Sequence, residues 1–160
     1  MVNELAQRIV SLVPSTTESV CELGAAGRLV ARTRYCMEPE LALRQVPPVG
    51  GTKNPDLQAI AALAPDLVLA NAEENRPEDI DWLTARFPTL VQTPRSVVEA
   101  GNELRVLATR IGLLEQAEPF LLRIEAQIAD AEVAALTRPP VRVYYAIWRM
   151  PWPKRRTAST

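Results

Sequence analysis

The apolar positions of the chain fall into four short runs, separated by segments with helical spacing. The runs cover residues 8–13, 29–33, 66–70 and 89–92, and their length and β-branched content are typical of buried strands. The third run, DLVLA, is almost continuously apolar, as in parallel strands that are covered on both faces. The alternation predicts an α/β fold with a Rossmann-like parallel sheet and flanking helices, whose ligands bind at the carboxyl ends of the strands.

Several helices are marked by start signals. Ser15 to Glu18 and Ser96 to Glu99 match capping boxes, in which a hydroxyl caps the third helical amide and the glutamate reaches back. The sequence Asn-Pro-Asp at 54–56 predicts a helix with its proline at the first helical position. We also predict a helix over residues 76–86, and glycines 24 and 112 as helix ends.

A narrow apolar stripe predicts a long helix from residue 119 to about residue 136. Its positions are three and four apart: Leu121, Ile124, Ile128, Ala131 and Ala135. Eighteen residues at about 1.5 Å each span roughly 27 Å, which is enough to cross one lobe and reach another.

These patterns divide the chain into three predicted parts. An N-terminal α/β lobe takes residues 1–112, and a connecting backbone helix takes residues 113–138. Residues 139–160 would be the start of a truncated second lobe and a tail, beginning with one strand of that incomplete lobe, VRVYYAIW, at 141–148.

Composition and charge exclude several kinds of function. A chain of 160 residues with 48% hydrophobic and 23% charged residues fits one globular domain, and a net charge of −1 provides no field to attract nucleic acid. No apolar run reaches the length of about 18 residues that spans a bilayer, and the N-terminus lacks the pattern of an export signal. We expect no nucleic-acid partner, no direct membrane insertion and, as written, a cytoplasmic location.

The chemistry available to the chain is limited. It has no histidine, and its two cysteines, Cys21 and Cys36, do not have the spacing of a metal or redox pair. Phosphate-binding glycine loops and a nucleophile elbow are absent from the sequence. We therefore expect no enzyme, no covalent cofactor and no metal held by side chains, with a small α/β enzyme or a cytoplasmic ligand-binding domain as the alternative, since a fold alone does not decide function.

Five segments, in order along nearly the whole chain, carry a family resemblance. They are RIVSLVPSTTE from residue 8, RYC from residue 34, PPVGGT from residue 47, IAALAPDLVLA from residue 60 and IWRMPW from residue 147. In these the chain resembles the helical-backbone (class III) periplasmic substrate-binding proteins of ABC importers for cobalamin, haem and siderophores. In that family two α/β lobes joined by one long helix hold a corrinoid or other metal chelate between them.

The resemblance implies a partner, a ligand class and a set of contact residues. It implies capture of a cobalamin, haem or siderophore-metal ligand and its delivery to an ABC importer permease, by a protein that is usually periplasmic or anchored outside the cell. The loops after the first-lobe strands would contact the ligand, and the far wall would begin after the long helix. The implied contacts are Pro14, Ser15, Thr16, Tyr35, Cys36, Gly51, Thr52, Asn71, Ala72, Glu73, Trp148 and Arg149. Family members dock onto the permease through acidic residues, and the resemblance implies Glu78 as the counterpart here.

Each of these residues also has a structural interpretation. Ser15 fits a helix cap, Gly51 a tight turn and Cys36 a small buried hydrophobe. Trp148 fits the core of a second lobe, and Glu78 fits a helix start that the helix dipole favours. For these residues the sequence leaves both interpretations open.

The family pattern stops after Trp152. Family members continue there into an apolar helical stretch, whereas this chain reads PKRRTAST, and a second lobe needs roughly a hundred further residues. We therefore expect a truncated chain that binds a chelate weakly or not at all. The aromatic strand at 141–148 would then have an unpaired edge that promotes association.

Overall fold

The computed structural model describes residues 5–144. Within that range the chain forms four strands and six helices, besides a 3₁₀ turn at Ala26–Arg28. The strands are β1 (Ile9–Ser11), β2 (Leu29–Arg32), β3 (Leu67–Asn71) and β4 (Thr89–Gln92). The helices are α1 (Pro14–Glu22), α2 (Glu40–Leu43), α3 (Leu57–Ala62), α4 (Pro77–Thr84), α5 (Val97–Arg110) and α6 (Leu114–Leu136).

The four strands form one sheet in the order β2-β1-β3-β4, and every neighbouring pair is parallel. The prediction of an α/β fold with a parallel sheet and flanking helices is confirmed. Because parallel strands point the same way, all four carboxyl ends lie at one edge of the sheet. A ligand site of the predicted kind belongs at that edge.

Side chains of the central strands alternate between two hydrophobic clusters, one on each face of the sheet. Ile9 and Leu67 belong to the cluster that contains Leu107 of α5 and Leu121 of α6. Val10, Val68 and Leu12 belong to the other cluster, with Ile60 of α3 and Leu83 of α4. Four of the five residues of β3 are buried, as expected for a strand that is covered on both faces.

The capping box predicted at Ser15 is wrong. The N-cap of α1 is Val13, with φ −133° and ψ 124°, and no side chain caps the helix. Because proline favours the first helical position, Pro14 occupies it and Ser15 becomes the second helical residue. Ser15 is therefore an exposed residue in the first turn of the helix and not its cap.

The predicted helix starts at residues 54–56 and at Ser96 are confirmed in part. Asp56, one residue after Pro55, is the N-cap of α3 and accepts a hydrogen bond of 2.9 Å from the amide of Ala59. Ser96 caps α5 through the amide of Glu99 as predicted, but the Glu99 carboxylate accepts from the amide of Arg95 and not from that of Ser96.

The long helix α6 begins five residues before its predicted start and contains Pro119 in its interior. A proline this close to the start removes one intrahelical hydrogen bond, while Ala117 and Leu121 anchor the same turns in the core. The glycine at position 112, with φ +69°, separates α5 from α6 as predicted.

The predicted strand after α6 is not found in its described part. Residues 141–144 carry no regular secondary structure, and residues 145–148 lie outside the described range. The division into a lobe, a connecting helix and a second lobe stays a prediction. No helix within residues 5–144 combines the length and the apolar character that crossing a bilayer requires.

Candidate functional site

The carboxyl edge of the sheet gathers the loops in which contact residues were predicted. The start of α1, shortly after β1, carries Pro14, Ser15 and Thr16, the loop after β2 carries Tyr35, and Asn71 is the last residue of β3. The fold therefore brings together the predicted residues of the first lobe that lie after β1, β2 and β3.

The turn that contains Gly51 joins this edge through β2. The amide of Arg34 donates a hydrogen bond of 2.8 Å to the carbonyl oxygen of Gly50, and the amide of Val49 donates one of 2.8 Å to that of Arg32. Residues 47–50 therefore run beside the end of β2, so that Gly51 and Thr52 lie near the loop that carries Tyr35.

Asn75 is the residue that holds three of these segments together, and the sequence analysis missed it. Only 1% of its surface is exposed. Its side-chain oxygen accepts a hydrogen bond of 2.8 Å from the amide of Asn71, and its side-chain nitrogen donates to the carbonyl oxygens of Thr52 at 2.9 Å and Leu12 at 3.4 Å. One buried amide thus links the segments after β1, β2 and β3.

The loop after β3 is folded further by Asn71. Its side-chain oxygen accepts hydrogen bonds from the amides of Glu73 at 2.8 Å and Glu74 at 3.1 Å. The ammonium of Lys53, a second residue that the sequence analysis missed, donates to the carbonyl oxygen of Glu73. Ala72 and Glu73 are exposed on this fixed loop.

Tyr35 presents an aromatic surface at the same edge. Its side chain is 51% exposed, and the guanidinium carbon of Arg34 lies 5.1 Å from the ring centroid. A Cβ on Gly51 would lie 3.2 Å from a ring carbon of Tyr35 and 2.6 Å from the side-chain oxygen of Asn54. A glycine at 51 therefore leaves room for the ring and for the Asn54 side chain.

Gly50 has a structural role of its own. Its φ of +89° belongs to the left-handed region, and a Cβ there would lie 2.5 Å from the carbonyl oxygen of Asn54. Both features require glycine, so the tight turn is sufficient to explain this position.

Cys36 does not lie where a ligand could reach it. Its side chain is fully buried in the cluster with Leu43 and Val46, and its sulfur lies 3.2 Å from the hydroxyl oxygen of Thr33. The thiol has no exposed surface, so the structure supports the small buried hydrophobe and not the predicted ligand contact.

A small cavity of about 160 Å³, with both polar and apolar lining residues, opens between the ends of β3 and β4 and the helices α1 and α5. Its lining includes Ser15, Thr16, Asn71, Gln92 and Glu103. The side-chain amide of Gln92 donates a hydrogen bond of 2.7 Å to the carbonyl oxygen of Glu103, whose carboxylate accepts one of 2.9 Å from the amide of Thr93. Cavities for drug-sized ligands measure about 300–1,000 Å³, so this cavity is too small to enclose such a ligand.

The first turn of α4 lies beside this edge and is acidic. Glu78 is exposed, 3.9 Å from the guanidinium of Arg76, and its docking role stays a prediction. Burial raises the pKa of the Asp79 carboxyl, Arg76 opposes that shift and Glu78 adds to it. One carboxylate oxygen of Asp79 is buried without a hydrogen-bond partner.

Two further observations concern metal ligands and the remaining predicted contacts. In residues 5–144 no three side chains of His, Cys, Asp or Glu are grouped so that they could hold a metal ion. The predicted contacts Trp148 and Arg149 lie outside the described residues.

Known proteins are similar to this chain in sequence and in fold. A vitamin B12-binding protein of Yersinia pestis (strain Pestoides F) is 33% identical over 106 residues, which are 66% of this chain and 38% of that protein. The periplasmic vitamin B12 binding protein of Vibrio cholerae superimposes with a TM-score of 0.76 at 23% identity, over 85% of this chain and 53% of that one. A periplasmic heme binding protein of Pseudomonas aeruginosa superimposes with a TM-score of 0.70 at 27% identity, over 82% and 49%.

This chain therefore spans about half, or less, of the length of the proteins it matches. The family model described as periplasmic binding protein matches residues 9–151, which is most of the chain. The chain belongs to the periplasmic binding protein family.

Proposed function

We propose that residues 5–144 form one wall of a cleft that captures a corrinoid such as cobalamin, or a haem or siderophore-type metal chelate, for an ABC importer. The observation that carries the proposal is the edge that Asn75 holds together, where Tyr35, Thr52 and Glu73 lie on segments fixed to one another. The relatives described above, which are named for binding vitamin B12 or heme, support the ligand class.

The chemistry of this edge suits a large flat chelate. The exposed ring of Tyr35, with the Arg34 guanidinium beside it, offers an aromatic surface next to a positive charge. The uncapped start of α1 directs backbone amides toward the peripheral carboxylates or amides of such a ligand. Loops that are already hydrogen-bonded to one another lose little freedom when the ligand binds, which favours affinity.

We expect weak binding by the 160-residue chain. The contacts described here lie on one wall, so about half of a macrocycle would stay in water, and the apolar area buried would be correspondingly small. We expect a dissociation constant between about 1 µM and 1 mM, compared with the nanomolar values that full enclosure permits.

The proposal also covers docking to a permease, a periplasmic location and ligand binding without catalysis. Glu78, exposed at the start of α4, would pair with a basic permease residue. A periplasmic location is part of the proposal and is supported by the name of the family, because capture before import takes place there. Capture requires no covalent step, so we propose a binding protein and not an enzyme.

The test is an absorption titration of the full chain with cyanocobalamin and, separately, with haemin. We expect a saturable spectral shift with at least one of them, and Tyr35→Ala should raise that dissociation constant about tenfold, the equivalent of about 1.4 kcal/mol. Leu122→Ala is the control, because Leu122 is also exposed but lies on α6 and does not line the cavity at the edge. No saturable shift with either compound, or equal losses in the two variants, would overturn the proposal.

A further inference from the structure

The small cavity between α1, α5 and the ends of β3 and β4 has a lining that can discriminate between chemical groups. Glu103 of α5 brings a carboxylate to it, and Gln92 at the end of β4 brings a side-chain amide. Among the described residues that line the cavity, none is a lysine or an arginine. The donors, acceptors and charge of this lining therefore indicate which group of a ligand can enter.

Two side-chain acceptors line the cavity on the side of β4 and α5. One carboxylate oxygen of half-buried Glu103 accepts a hydrogen bond of 2.9 Å from the amide of Thr93, and no described residue donates to the other oxygen. Gln92 is only 9% exposed, and its side-chain nitrogen donates to the carbonyl oxygen of Glu103 at 2.7 Å. No described residue donates to the side-chain oxygen of Gln92. Since acceptors removed from water need a donor, these two oxygens favour a ligand group that donates two hydrogen bonds.

Helix α1 brings hydroxyl groups to the same cavity. Ser15 and Thr16, in its first turn, both line it, and a hydroxyl can donate as well as accept. A group that donates toward α5 and accepts from α1 would therefore form more hydrogen bonds here than a group that can only donate or only accept.

Charge restricts the choice to a neutral group. The Glu103 carboxylate repels an anion in so small a cavity, because like charges at short range disfavour each other's ionised form. A cation is disfavoured by the start of α1, a helix of nine residues, where the helix dipole places partial positive charge. A primary carboxamide is neutral, and it combines two N–H donors with one carbonyl acceptor.

The size of the cavity and its apolar lining fit a carboxamide on a short alkyl stem. A volume of about 160 Å³ exceeds the roughly 30 Å³ that one water occupies in the liquid and lies below the range for a whole drug-sized ligand. A group of a few heavy atoms therefore fits. The apolar part of the lining, which suits methylene groups, consists of Pro94, Ala100, Leu104 and Leu107.

We infer that the cavity binds a primary carboxamide of the ligand, which donates to Glu103 and Gln92 and accepts from a hydroxyl of α1. The inference rests on the proposed function and narrows its ligand class. Corrinoids carry primary carboxamides on short alkyl stems around the ring, whereas haem carries carboxylates on its stems. Glu103 is therefore the residue that makes this edge prefer a corrinoid to haem.

The first test needs no chelate and uses the ¹⁵N-labelled full chain. Propionamide, propionate and propylammonium, which have the same number of carbon atoms, are compared by the shifts of the Gln92 side-chain amide and of the backbone amides of Ser15 and Thr93. A probe of so few atoms gains little free energy, so we expect propionamide to saturate these shifts with a dissociation constant between about 1 and 100 mM. The two charged probes should bind about tenfold more weakly or less.

Glu103→Gln tests the residue itself. It keeps an oxygen that can accept from the amide of Thr93, so the fold should be retained, but it removes the charge. We expect the difference between propionamide and propionate largely to disappear. Glu99→Gln is the matched control, because it makes the same change one turn earlier on α5, at an exposed position that does not line the cavity. This control should keep the wild-type difference.

The second test compares cyanocobalamin with its monocarboxylic acids, in which one peripheral carboxamide is hydrolysed. In absorption titrations at least one of these acids should bind the wild type about tenfold more weakly than cyanocobalamin, and Glu103→Gln should reduce that difference.

Three results would overturn the inference, even if chelates bind to the chain. They are no saturable shift with propionamide, binding of propionate or propylammonium as tight as that of propionamide, and equal effects of Glu103→Gln and Glu99→Gln. A preference for propionamide without binding of any chelate would support the carboxamide site and overturn the proposed function. The failure of the one is thus distinguishable from the failure of the other.

Discussion

The side-chain nitrogen of Asn75 lies 2.9 Å from the backbone carbonyl oxygen of Thr52, which is 23 positions earlier in the chain. This hydrogen bond fastens the loop after β3 to the turn that follows Gly51. The same amide group also reaches the carbonyl oxygen of Leu12, at 3.4 Å. The geometry of the candidate site thus depends on one buried side chain that contributes almost no surface to it.

Replacing this side chain should destabilise the fold. Asn75→Ala leaves the amide of Asn71 and the carbonyl oxygens of Thr52 and Leu12 without their partner. An unsatisfied buried group costs about 1–3 kcal/mol, so we expect the free energy of unfolding in urea to fall by about 2 kcal/mol or more. Asn102→Ala, at an exposed position of α5, should stay within about 0.5 kcal/mol of the wild type. Similar losses in both variants would mean that Asn75 does not link the loops.

The turn at Gly50 gives a second prediction. Gly50→Ala forces a side chain into the left-handed region, at a cost of about 1–2 kcal/mol, and into contact with the carbonyl oxygen of Asn54. We expect a total loss of about 2–4 kcal/mol in thermal or urea unfolding once the cost of overpacking is included. Gly27→Ala is the matched control, because a Cβ there meets nothing within 4 Å. Equal stability of the two variants would contradict the described turn.

A third prediction concerns the Asp79 carboxyl, whose raised pKa should make the free energy of unfolding depend on pH. Burial raises its pKa in the folded chain, although Arg76 opposes the shift, so between the ordinary and the raised pKa the folded state binds more protons than the unfolded state. The contribution of this carboxyl to the free energy of unfolding is therefore present at low pH. It is lost as the pH rises above about 4, the ordinary pKa of an aspartate side chain. We expect Asp79→Asn to lose less stability between about pH 4 and neutral pH than the wild type loses.

Asp81→Asn is the control for this experiment, because Asp81 is an exposed carboxylate on the same helix. Its unfolding free energy, followed by urea titration over the same pH range, should keep the wild-type slope. If Asp79→Asn keeps that slope as well, burial does not perturb the Asp79 carboxyl as described.

The sheet could be predicted from sequence because its constraints are local. Residues that are covered on both faces must be apolar in succession, so LVLA in β3 is distinctive without any knowledge of its neighbours. The capping box at Ser15 failed because two local preferences compete there. Pro14 favours the first helical position, and this moves the cap back to Val13.

The interior of the site could not be predicted in the same way. Asn75 is one polar residue among several in the sequence NAEENRPED, and its burial depends on segments 23 and 63 positions away. Such a contact leaves no periodic pattern. The burial of Cys36 is likewise decided by Leu43 and Val46, which pack over it from the connection to β3. The motifs predicted candidate residues that the fold places at the carboxyl edge of the sheet, and tertiary contacts decide which of those side chains are exposed there.

The measurement that tests the central claim most directly is a titration of the ¹⁵N-labelled, assigned chain with cyanocobalamin and, in a separate sample, with haemin, followed by amide chemical shifts. The account predicts that with at least one of them the largest shifts cluster at the carboxyl edge, at Ser15, Tyr35, Thr52 and Glu73, and that Tyr35→Ala weakens them all together. Saturable shifts confined to α5 and α6, or none with either compound at millimolar concentration, would contradict it.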